Sequence, residues 1–137
     1  MATDADIAKF VQAIGATEPQ PGDELFAGFR KMFKRHNYFL LGGRFLIVKI
    51  SRSKKPFWGV GKEVIDFLNG LDNYYLVLLV PGSEGWVFSK AEVQSNIGSK
   101  KWNLGEDGDY KINPPLPDAN TFAGPKTFRK RIGAGEP

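Results

Sequence analysis

The stretch Arg44-Phe-Leu-Ile-Val-Lys-Ile50 constrains the fold more than any other part of the chain. β-branched and aromatic residues are dense in it and no breaker interrupts it, the composition of a strand. Side chains alternate along a strand, so Phe45, Ile47 and Lys49 share one face and Leu46, Val48 and Ile50 the other. Both faces are apolar, which predicts a strand covered on both sides and central in its sheet. Lys49 is the exception. A lysine in such a strand costs free energy unless its amine reaches water, a carboxylate or a phosphate.

The rest of the chain supplies partners for this strand. Tyr38-Phe-Leu-Leu41 precedes it across Gly42-Gly43, the signature of a two-residue hairpin turn. Residues 61 to 71 read as a helix with Val64, Phe67, Leu68 and Leu71 buried, followed by a second buried strand at 73 to 80. The helix then serves as a right-handed crossover that lays the second strand parallel to the first. An amphipathic helix is predicted at 4 to 14 from Ile7, Phe10, Val11 and Ile14, and another at 23 to 35 after a Pro/Gly connector. Trp86-Val-Phe88 reads as a short strand, and Ser89 with Glu92 as a capping box that starts a helix ending near Gly98. Two short strands at 101 to 104 and 109 to 113, a proline-rich connector at 114 to 117 and a last helix within 121 to 132 complete the chain; that helix places Pro125 at its first position and Phe128 and Ile132 inward. The sum is an α/β fold, a mixed central sheet of about four to five strands flanked by helices. At 137 residues the expectation is a single domain, with 1 to 3 and 133 to 137 frayed.

Composition excludes several kinds of chemistry. There is no cysteine, so disulfides, thiolate metal sites and cysteine nucleophiles are absent. His36 is the only histidine, which forbids a two-histidine metal site; it reads as a surface residue near a helix end. The longest apolar run, Tyr74 to Val80, is far too short for a transmembrane helix, so no membrane partner is expected, and the acidic start lacks a signal-peptide pattern. The expected location is cytoplasmic.

The charge is unevenly distributed. Of the 19 Lys and Arg, ten fall between Arg30 and Lys62 with no Asp or Glu among them, while the remaining nine share the chain with all 15 acids. An acid-free basic block of this length predicts a basic surface. Lys31, Lys34 and Arg35 lie on the helix at 23 to 35. Arg52, Lys54, Lys55 and Lys62 surround Phe57 and Trp58, pairing cations with stacking surfaces as nucleic-acid sites do. The expected partner is DNA or RNA, and a homodimer is left open. Gly59-Val-Gly61-Lys62 is not a P-loop, because Pro56 stands at the first glycine and Glu63 at the Ser/Thr; a glycine-rich helix start still offers backbone N–H groups to phosphate.

The order helix, hairpin, helix, buried strand over roughly residues 23 to 88, with Lys49 on the second hairpin strand, resembles the restriction-endonuclease-like fold of the PD-(D/E)XK nucleases. In that superfamily an acid, one spacer and a lysine lie on the second hairpin strand. Lys49 matches the lysine, but Ile47 replaces the acid, and residues 37 to 44 hold no acid. Some members carry an acid on the following helix, where Glu63 and then Asp66 stand. The resemblance therefore implies a Mg²⁺-dependent endonuclease with Lys49 and Glu63 as catalytic residues and Glu63 and Asp66 as metal ligands. The alternative is a non-catalytic regulatory or protein-interaction module whose basic surface meets an acidic partner.

Overall fold

The structure, a computed structural model, describes residues 4–20 and 37–134. The helix expected at 23 to 35, with Lys31, Lys34 and Arg35, and His36 lie outside the described residues. A five-stranded mixed sheet organises the rest. It is built from β1 (Tyr38–Leu41), β2 (Arg44–Ile50), β4 (Tyr74–Val80), β5 (Glu84–Ser89) and β8 (Thr121–Ala123), in that spatial order. The Gly42-Gly43 hairpin forms with both glycines at positive φ, and it sets Tyr38 opposite Ile47. β2 and β4 run parallel from Phe45↔Tyr74 to Ile50↔Leu79, the pairing that the crossover predicts.

Alternation along β2 and β4 divides the core between the two faces. Ile47, Leu76 and Leu78 pack on one side with Ile65 and Leu68 of α2 (Lys62–Asn69) and Val93 of α3 (Lys90–Gly98). Leu46, Val48, Val77 and Leu79 pack on the other with α1 (Ala5–Ile14) and with Phe128 of α4 (Pro125–Arg131). Each fully buried aliphatic or aromatic side chain contributes about 1.5–3 kcal/mol relative to exposure, so a strand lined on both faces anchors the fold. α1 is capped by Asp4, whose carboxylate accepts from Asp6 and Ile7 N–H. The capping box at the start of α3 forms as expected, with Ser89 and Glu92 each accepting the other's backbone N–H.

Three local expectations change. The segment after the basic loop is not loop up to the helix: Trp58–Gly61 is a strand, β3, paired antiparallel with β7 (Asp109–Ile112), which in turn pairs with β6 (Asn103–Leu104). This second, three-stranded sheet joins segments about fifty residues apart, a pairing that local pattern does not reveal. The last helix begins at Pro125 as expected, but the residues just before it, Thr121–Ala123, form an edge strand against β5. In α2 the fully buried positions are Ile65 and Leu68; Val64 and Phe67 are only partly covered.

Candidate nucleic-acid interface

The loop at 51 to 57 leaves the sheet at the carboxyl end of β2. Both of its feet are fixed on one atom. The Leu79 carbonyl accepts the Ser51 N–H (3.0 Å) and the Trp58 indole N–H (3.3 Å). Ser51 is buried, and its hydroxyl accepts the Phe57 N–H (3.3 Å), which closes the loop on itself. Between these feet Lys54 and Lys55 are exposed, and neither makes an ion pair with a described carboxylate.

Trp58 corrects the expected stacking surface. It is only 2% exposed and lies edge-to-face on Trp86, ring centroids 5.7 Å apart at 73°. A tryptophan in that position is core and presents no face to a ligand. Its neighbour Phe57 is 55% exposed and takes the outward position instead. The reason is β3. Trp58 and Val60 share the buried side of that strand, so the residue before Trp58 points away. Reading 58 to 61 as a strand would have found this from the sequence.

Among the described residues, the cations of the basic block do not form one continuous surface. Arg44 stands at the amino end of β2, six residues and so about 20 Å from the loop. There it donates from Nε to the Ile132 carbonyl (3.2 Å) and from Nη2 to the Gly133 carbonyl (2.9 Å). Arg52, in the loop itself, is held by Asp4 (2.6 Å) and Asp6 (2.9 Å) at the start of α1. The guanidinium holds the Asp4 carboxyl below its usual range, and the two aspartates hold the Arg52 proton more firmly. Lys62 pairs with Asp66 one turn along α2 (2.7 Å), which raises the lysine's pKa. These contacts neutralise Arg52 and Lys62 locally. The described cations left facing solvent in this region are Lys54 and Lys55.

The glycines of β3 make room for a carboxylate. A Cβ at Gly59 would stand 3.2 Å from Asp109 Oδ2, and one at Gly61 3.5 Å from Asp109 Oδ1. The first N–H of α2, on Lys62, donates to the Gly108 carbonyl (3.0 Å). The expected phosphate cradle at this helix start is thus lined by the Asp109 carboxylate, and like charge there works against an incoming phosphate.

The residues of the nuclease resemblance lie in three settings. Lys49 is half-buried on β2 opposite Leu78, on the face that carries α2. Glu63 is exposed on the first turn of α2. Asp66 is exposed and engaged by Lys62. Among the described residues no group of three or more His, Asp or Glu is placed to hold a metal ion, so Glu63 and Asp66 are not joined by a third described ligand. No described helix is long and apolar enough to cross a membrane. The chain matches no protein-family model, no curated protein and no solved structure.

Proposed function

We propose that this domain binds nucleic acid through its phosphate backbone, with the loop at 51 to 57 as the contact. The observation that carries this reading is the combination of Lys54 and Lys55, exposed and unpaired with described acids, with a loop whose feet are both tied to Leu79. A tethered loop loses little conformational freedom when it meets a ligand, so its two charges act at small entropic cost. Its position at the carboxyl end of a strand in the parallel pair is also where open α/β sheets hold their ligands. Lysine suits this role as a point charge that accepts phosphate from many directions without reading sequence.

Binding of this kind weakens steeply with salt. Anisotropy titration of labelled DNA at about 50 and 200 mM salt tests it. Binding at low salt that falls at high salt, and falls further in Lys54→Ala/Lys55→Ala, supports the reading; no binding at low salt overturns it. The nuclease function is a finer form of the same proposal, with Lys49 orienting the attacking water and Glu63 contributing to a Mg²⁺ site. Cleavage of supercoiled DNA that requires Mg²⁺ and is lost in both Lys49→Ala and Glu63→Ala would support it. Equal cleavage by wild type and both variants, or cleavage that survives EDTA, removes it and leaves a binding domain.

A further inference from the structure

Resting on that reading, we infer that the ligand is single-stranded nucleic acid and that Phe57 stacks on an unpaired base beside the phosphates held by Lys54 and Lys55. The argument starts from what Phe57 cannot do. Its N–H is committed to the Ser51 hydroxyl at 3.3 Å, and the next residue, Trp58, fills the core position at 2% exposure with its indole N–H on Leu79. The backbone on both sides is therefore held, and the inward position next to the ring is taken by Trp58. A single exposed phenylalanine is ordinary on a protein surface. Here the fold holds the ring out, on a short loop with two lysines.

Among the described residues only Phe57 and Leu104 are large apolar side chains this exposed, and Leu104 lies on β6, which β7 separates from β3 in the three-stranded sheet. The cations and the ring thus fall on one loop. That pairing selects the ligand. In a duplex both faces of each internal base are covered by its neighbours, so a ring can meet the phosphates but not a base face. In a single strand the bases are free to swing out, and a ring next to backbone-binding cations takes one by stacking, with no requirement for a particular sequence. A flat acidic protein surface would satisfy the lysines but would leave the ring without a matching partner.

The test uses the whole chain, a labelled oligothymidylate and a mixed-sequence duplex of the same length, at low salt. The expected result is tighter binding of the single strand. Phe57→Ala should weaken it at least about fivefold, the lower bound for losing one stacked base, while duplex binding changes less than about twofold. Phe57→Leu keeps an apolar side chain at the position but removes the aromatic face, and it should behave as Phe57→Ala does. Circular dichroism of both variants should match wild type, since the ring is outside the core. Equal affinity for the two probes, or a Phe57→Leu variant that binds like wild type, overturns the stacking inference and leaves phosphate binding standing. Failure of the wild type to bind either probe overturns both.

Discussion

The loop at 51 to 57 and the basic helix α4 carry the same sign of charge to opposite ends of β2, and they use it differently. At the α4 end, arginines bind backbone. Arg44 donates to the carbonyls of Ile132 and Gly133, Arg129 to those of Ile14 and Ala134, and Arg131 to that of Thr121 (2.8 Å). These carbonyls include the last acceptors of α1 and α4, where a cation also meets the negative end of the helix dipole. At the loop end, lysines face water. The guanidinium fork suits fixed carbonyls, whereas the ammonium is a compact charge on a flexible stem. A count of cations along the chain treats the two regions alike, yet the arginines at the α4 end are structural, with Lys126 and Lys130 exposed beside them, whereas Lys54 and Lys55 stand on a tethered loop.

The comparison breaks most visibly inside the loop. Trp58→Ala should cost about 3–5 kcal/mol, the range for truncating a buried aromatic, because it empties the contact with Trp86 and removes one of the two donors to the Leu79 carbonyl. Thermal melting should show the loss, and a melting temperature near wild type would mean that the loop does not depend on its tryptophan. At the other end of β2, Arg129→Ala removes the link from α4 to the end of α1. A charged hydrogen bond is worth about 1.5–3 kcal/mol, so urea unfolding should report a loss of about that size. Nucleic-acid affinity at a given salt should change far less than in the lysine variant; if it drops as much, the α4 end is also part of the interface.

Arg52 sharpens the contrast, because it holds the titrating carboxylate of Asp4 whereas Arg44 holds only backbone carbonyls. Asp4 has its pKa lowered in the folded state, chiefly by Arg52. Its contribution to stability is therefore present above the ordinary carboxylate range and is lost as pH falls through the lowered folded value. Asp4→Ala should remove that acid dependence and cost about 1 kcal/mol for the lost helix cap, read by melting at neutral and acid pH. An unchanged acid limb would mean that Asp4 and Arg52 do not interact in solution. The smallest effect is expected for Lys54→Ala/Lys55→Ala, within about 0.5 kcal/mol of wild type by urea unfolding, as for surface changes away from structural contacts. A larger loss would make this loop structural as well.

What could be read from the sequence was local or strongly periodic. The Gly-Gly hairpin, the parallel pair β2 and β4, the helix at 5 to 14 and the capping box at Ser89 all follow from residues within one or two turns of each other or from apolar runs. The β3–β7 pairing did not follow, since Trp58 meets Ile112 across more than fifty residues and neither strand is longer than four. That omission carried over to the site. Without β3 there was no reason to turn Trp58 inward and Phe57 outward. The basic block was misleading for a related reason: Asp4 and Asp6, which hold Arg52, stand more than forty residues before it and meet it only in the fold, while Asp66 holds Lys62 from just beyond the acid-free stretch.

The slope of log affinity against log salt tests the central claim most directly, because it counts phosphate contacts independently of fold stability. Wild type, Lys54→Ala/Lys55→Ala and Arg44→Ala should be titrated with oligothymidylate and with duplex DNA. If both lysines meet phosphates, the double variant should lose about 1.4 units of slope on the single strand or about 1.8 on the duplex, while Arg44→Ala keeps the wild-type slope. A double variant with the wild-type slope, or an Arg44→Ala variant that loses as much, would contradict the assignment of the interface to this loop.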